Sequence, residues 1–267
     1  MVLRLRGMPI RVIISLWNEW QRLPCMERMA TTSLSFSCQP AAATGKRIEV
    51  YPESERNMCT RFYLELSPEL RPYIEAANHS PLKAKMVSSL GREFKTEGEI
   101  RPTDMTTVIA PGRNGMPAVF PMVWGYHVKG INHPVVNARV ESAKEKQTFT
   151  DDWNRHRCIV PASYYFEWEH IRRPDGKIRT GDKYSIQPRN ATVTYLAGLY
   201  RIEEERGLKY PVFTVLTREP CEALARIHDR MPVILPGDAI DDWINPDADP
   251  AGIVTQALTD MVVEKAE

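Results

Sequence analysis

Several functional classes are closed to this sequence by what it does not contain. No apolar run approaches the ~20 residues that a membrane-spanning helix needs, so neither a membrane span nor a membrane partner is expected. Cysteine is sparse, odd in number and widely spaced, at Cys25, Cys38, Cys59, Cys158 and Cys221, with no CxxC pair. That pattern excludes a disulfide framework and a zinc knuckle, and it fits a reducing cytoplasm. There is no GxGxxG, no P-loop, no HExxH and no internal repeat, so no nucleotide cofactor or metal is expected. Net charge is also small, +1 from 35 Lys/Arg and 34 Asp/Glu. A nucleic-acid binder usually shows a basic excess; here any such contact must be local.

The first 57 residues differ in texture from the rest. They hold eight basic and five acidic residues, which leaves 27 and 29 for positions 58 to 267, so the body is close to neutral. "MVLRLRGMPIRVIISLWNEW" sets basic residues before an apolar stretch, but "VIISLW" is too short for a signal peptide and no small-residue cleavage site follows directly. "TTSLSFSCQPAAATGKR" is rich in small residues and has little periodicity, the composition of a disordered linker. Residues 1–57 therefore read as a disordered or mis-assigned extension, and 58–267 as one domain.

From Met58 onward, short β-rich runs sit between turn signals: "TRFYLEL", "TTVIAP", "AVFPMVWGYHV", "RCIVPASYYFEWEH", "KYSIQP", "TVTYLAGLY", "YPVFTVLT" and "MPVILP". Three segments have helical character. "SPELRPYIEAANHS" offers Ser67 as a cap with Pro68 behind it, "REPCEALARIH" spaces apolar residues at i, i+3 and i+4, and "PGDAIDDWI" has acids in its first turn. Strands dominate without βαβ alternation. The expected fold is α+β, mainly β, with a curved, barrel-like antiparallel sheet and a few flanking helices.

Four polar groups embedded in apolar sequence require hydrogen-bond partners to be tolerated there. They are Cys59 in "MCTRF", Asn137 with Arg139 in "VVNARVE", Glu167 in "YYFEWEH" and His228 in "IHDRMPVIL". A thiol, an amide, a carboxylic acid and an imidazole form a candidate nucleophile, orienter and acid/base set. Singly, each has a structural reading. A free cysteine is most often a small buried hydrophobe. Asn137 and Arg139 could close a turn and pair with Glu141 on the surface. Strand alternation puts Tyr165, Glu167 and Glu169 on one face, which a solvated surface would explain, and His228 could cap the helix "EALARIH".

Taken in order, these stretches resemble the SOS response-associated peptidase (SRAP) family of abasic-site processing proteins. The resemblance lies in Met58 to Phe62, Trp124-Gly125, Asn137 to Glu141, Arg157 to Ala162 with Phe166-Glu167-Trp168, and His228 to Pro232. It spans about 58 to 245, and departs at Thr60, where the family commonly has glycine. The resemblance implies that Met58 is the true start and that its removal frees Cys59 as an N-terminal cysteine. It further implies crosslinking to abasic sites in single-stranded DNA through a thiazolidine. Asn137 would position the α-amine, Glu167 would act as general acid/base, and His228 would shuttle a proton. Arg61 and Arg139 would meet phosphates, and Trp124 would stack a base or act as a wedge, unless it is a core aromatic. With few arginines in a near-neutral body, affinity should fall with salt less steeply than for a broad basic face. No obligatory protein partner is implied, and the expected location is cytoplasmic, with the nucleoid during DNA damage.

Two rival classes remain open at this stage. A thiol peptidase would use Cys59, His228 and Asn137 for acyl transfer, leaving Glu167 idle, and a single-strand-binding module would need no chemistry at all. The free α-amine of Cys59 separates the first from thiazolidine chemistry. A covalent adduct on a denaturing gel separates the second.

Overall fold

The computed structural model describes residues 60–266; Cys59, the segment before it and Glu267 lie outside the described residues. Among the described residues thirteen strands run in the order β1 (Arg61–Leu64), β2 (Gly98–Ile100), β3 (Met105–Pro111), β4 (Pro117–Trp124), β5 (Asn137–Arg139), β6 (Arg157–Ala162) and β7 (Tyr164–Arg172). There follow β8 (Ile178–Pro188), β9 (Thr194–Glu205), β10 (Leu208–Arg218), β11 (Met231–Pro232), β12 (Ile234–Leu235) and β13 (Met261–Lys265). The expected mainly-β architecture is what the chain adopts.

Two sheets share the strands. One has the order β13-β8-β7-β1-β2. The other follows β10-β4-β3-β6-β9 and closes on itself, because β9 also pairs with β10. A closed ring with an odd number of strands cannot alternate direction all the way round, so one seam must be parallel. That seam is β4 with β10, where Val212 pairs with Val123 and Phe213 with Trp124. The barrel is therefore not wholly antiparallel. β5 adds a second parallel pairing on β10, with Asn137 opposite Val215 and Arg139 opposite Thr217.

The apolar residues divide into two clusters. One lies around Met86, Tyr126, Leu199, Val212 and Trp243; the other, around Phe62, Trp124, Tyr165, Leu196 and Phe213, joins the open sheet to the barrel. Arg157 is fully buried and is satisfied without a carboxylate: its guanidinium donates to the carbonyls of Trp153, Asn154, Trp243, Asn245 and Ala248. A buried cation needs such partners, so this motif arginine ties β6 to the segments 153–154 and 243–248.

Helices are few and short. Helix α1 (Arg71–Asn78) begins later than Ser67 and Pro68 suggest, but the Ser67 hydroxyl does accept the Leu70 amide at 3.2 Å, in the turn that leads into it. Helix α2 (Pro81–Leu90), capped by the Ser80 hydroxyl, was not legible as a separate element. "PGDAIDDWI" forms a 3₁₀ turn and then a short helix, Ile240–Ile244. "REPCEALARIH" is not a helix. It winds as successive turns from Glu222 to Ile227, so no helix terminus is available for His228 to cap. Among the described residues, no helix is long and apolar enough to cross a membrane.

Candidate active site

Glu167 lies in β7, between β1 and β8, and the pairing shows which face of the strand is covered. Phe62 stands opposite Tyr165, and Tyr165 opposite Ile186, and all three are fully buried. Glu167 points to that same inner face and is 3% exposed. The alternation was legible, but its polarity is the reverse of a solvated Glu167 face: the aromatic residues Tyr164 and Trp168 are the partly exposed ones. Phe166, on that outer face, is covered by the Lys183 ammonium, which lies 3.6 Å from the ring centroid.

His228 meets Glu167 from the turn before β11. Its Nε2 is 3.6 Å from Glu167 Oε1, and the imidazole is 2% exposed. The Arg230 amide donates to His228 Nδ1 at 3.0 Å, an arrangement that turns Nε2 toward the carboxylate. Asp229 Oδ1 stands 3.1 Å from the same Nδ1.

Arg230 is itself anchored. It forms two hydrogen bonds to the Glu141 carboxylate, at 2.9 and 2.7 Å, and donates to the Thr217 carbonyl at 2.8 Å. Burial raises the Glu141 pKa, but the Arg230 hydrogen bond and the charges of Arg230 and Arg139 outweigh it and hold the carboxyl below its ordinary value. Thr217 is also the residue opposite Arg139. Asn137 and Arg139 are thus linked to His228 through β10 and the Arg230 anchor.

His170, three residues beyond Glu167, lies against His228 with ring centroids 3.9 Å apart. A bulge between Trp168 and His170 breaks the strand register there. Gly181 on β8 leaves room for Glu169 at the bulge, since a Cβ would collide with its carboxylate. Burial lowers the His170 pKa, Asp229 raises it and Arg172 lowers it, and the net shift is downward. His170, Asp229 and Arg230 were not singled out from sequence. Asp229 and Arg230 were visible only as members of the motif 228–232, His170 only as the last residue of "YYFEWEH", and Glu141 as a surface partner for Arg139, whereas the structure pairs it with Arg230. His170, His228 and Asp229 offer donor atoms within 4.8 Å of one another, as do Asp151, Asp152 and His156, so among the described residues these are the groups that could hold a metal.

Of the residues assigned to DNA, Arg61 and Arg139 are partly exposed. Arg61 pairs with Glu99 at 3.2 Å, a carboxylate it shares with Arg101 and Lys183. Trp124 requires a correction: it is fully buried, tilted against Phe62 and stacked on Phe213 with centroids 5.9 Å apart. No ring face is open to a base. Its indole N–H donates to the Val136 carbonyl at 2.9 Å, immediately before Asn137. The glycine that follows is needed for the same contact, because a Cβ at Gly125, where φ is +119°, would lie 2.6 Å from Pro134 Cβ. Trp124-Gly125 thus shapes the approach to β5. Cys59 falls outside the described residues.

The sequence model of the family described as SOS response associated peptidase (SRAP) matches residues 58–266. The chain belongs to the SRAP family. Its SRAP domain is 32% identical over 168 residues to the abasic site processing protein YobE of Bacillus subtilis, covering 58% of this chain and 73% of that protein. It is 30% identical over 128 residues to the abasic site processing protein YedK of Escherichia coli, covering 46% and 54%. The fold also matches a crystal structure of a Bacteroides thetaiotaomicron protein, with TM-score 0.59 and 19% identity over 78% of this chain and 92% of that one. The buried Glu167–His228 pair and the Asn137–Glu141 segment lie within the matched residues.

Proposed function

We propose that this SRAP protein attaches itself covalently to abasic sites in single-stranded DNA through an N-terminal Cys59. The observation that carries the reading is the Glu167–His228 pair: a carboxylate and an imidazole, each 3% exposed or less, with 3.6 Å between Oε1 and Nε2. A sealed acid/base pair of this kind serves proton transfer better than binding. Strand β1 enters the sheet with Arg61 opposite Phe166, next to Glu167, and Cys59 is two residues ahead of that entry. Two residues span at most about 7 Å.

The ring-opened abasic sugar presents an aldehyde. The Cys59 α-amine adds to it and expels water, giving a Schiff base. The thiol then adds across the C=N bond, so that an S–C bond forms and the thiol proton passes to nitrogen, closing a thiazolidine. Reference pKa values of ~7.7 to 8.0 for the amine and ~8.5 for the thiol leave both partly reactive near neutrality. In this reading Glu167 moves protons during sugar opening and water loss, His228 relays them, and Asn137 orients the amine. Arg61 and Arg139 hold phosphates.

The chemistry requires a free α-amine on Cys59, and so requires removal of whatever precedes it. The test mixes abasic single-stranded DNA with a chain begun at Met58, with the full chain, and with a version acetylated at Cys59. An adduct that survives heat and detergent is expected only where the amine is free. An equal adduct from the acetylated protein would refute the thiazolidine.

A further inference from the structure

The β7–β8 hairpin extends beyond the sheet and carries a charge that the chemistry above does not use. Residues 172–180 are all exposed. Between Arg172 and Arg179 the chain holds four cations, Arg172, Arg173, Lys177 and Arg179, against the single acid Asp175. The nearby acids are engaged: Asp175 accepts the Lys177 amide at 3.0 Å within the turn, and Asp182 pairs with Lys265 at 2.8 Å. Among the described residues none of the four cations has an ion pair.

The hairpin is aimed by its base. The His170 amide donates to the Ile227 carbonyl at 2.7 Å, which fastens β7 to the turn that carries His228. His170 pairs with Thr180 and Arg172 with Ile178, so Arg172 shares a face with His170, the face that packs on His228. The Arg172 charge is felt at His170. At the tip, the Arg173 amide donates to the Lys177 carbonyl at 2.9 Å and Gly176 takes φ +79°, so the turn is tight and the cations stand on a formed hairpin.

We propose that this hairpin is a phosphate-binding arm that holds the DNA strand as it leads to the Glu167–His228 pair. The proposal rests on the abasic-DNA reading for the identity of the polyanion. It explains how a chain of net charge +1 holds a polyphosphate: the charge is gathered on one arm that shares a strand with the site.

The test measures binding of the full chain to intact single-stranded DNA over a range of salt. The triple variant R173Q/K177Q/R179Q is compared with K85Q/K129Q/K209Q, which loses the same charge from exposed positions elsewhere. Each phosphate contact contributes about 0.7 to the slope of log affinity against log salt on single strands. The hairpin variant should be shallower by about 1.4 to 2.1 for two to three lost contacts, while the control keeps the parent slope. The single variant R173Q should change the slope by about 0.7. An unchanged slope, or an equal change in the control, overturns the arm. So does a variant that loses only binding to anionic phospholipid vesicles, which would assign the hairpin to a membrane surface. Failure of the abasic adduct in the chain begun at Met58 would remove the functional reading instead and leave this slope measurement standing.

Discussion

The backbone amide of Arg230 donates to Nδ1 of His228 at 3.0 Å, and this contact leaves Nε2 as the ring nitrogen that faces Glu167. Arg230 is held in turn by Glu141 and by the Thr217 carbonyl. The Arg230–Glu141 ion pair thereby helps to orient a buried catalytic candidate.

Glu167→Gln keeps the size of the side chain but removes the proton acceptor. Single-turnover adduct formation on abasic DNA should fall by about 10²- to 10⁴-fold, the usual contribution of a general acid/base. Binding to intact DNA should hardly change. Quench-gel rates and fluorescence anisotropy check the two halves, and equal losses in both would assign Glu167 to binding.

Cys59→Ala with the α-amine left free should still form the Schiff base but cannot close the ring. Loss of a β-proton from that imine breaks the DNA strand, so cleavage should rise relative to the parent protein while the heat-stable adduct disappears. A denaturing gel with and without borohydride trapping reads both outcomes.

The Glu141 carboxyl is held below its ordinary value of 4.5 in the folded protein. A carboxylate with a depressed folded pKa contributes stability that is present above the unfolded value and lost as pH falls through the folded one. Glu141→Gln should therefore be less stable than the parent near neutrality, by about 1 kcal/mol, since the Glu141 side chain is 48% exposed and its hydrogen bonds are partly screened. The difference should shrink as pH drops below about 4.5. Thermal unfolding from pH 3 to 7 follows it, and a gap that widens on acidification would contradict the assignment.

Trp124→Phe tests the core placement. It removes the hydrogen bond to Val136 and opens a small cavity, and should lower stability by about 1 to 3 kcal/mol. For a domain of this size that is a fall of roughly 2–4 °C in the unfolding midpoint per kcal/mol. Affinity for intact DNA, measured well below that midpoint, should be unchanged. A loss of affinity without loss of stability would return Trp124 to the DNA.

The motifs were readable without coordinates because they are local: Asn137 to Glu141, Arg157 to Ala162, Phe166 to Trp168 and His228 to Pro232 are short runs whose order is preserved in the chain. Strand character was also local, carried by β-branched and aromatic runs between turn residues. So was the alternation along β7. What these runs could not reveal was which face of β7 is covered. Covering depends on Phe62 and Ile186, more than a hundred residues before and some twenty after the strand centre, and only their pairing with Tyr165 decides that Glu167 is the buried partner. For the same reason β5, a three-residue strand that exists through its parallel pairing with β10, was invisible. The helical spacing of "REPCEALARIH" was overridden by the turns that deliver His228 to Glu167. Residue types and their order determined the chemistry on offer. Long-range strand pairing, which no local pattern encodes, decided that Trp124 supports the site from the core and that Glu167, His228 and His170 meet.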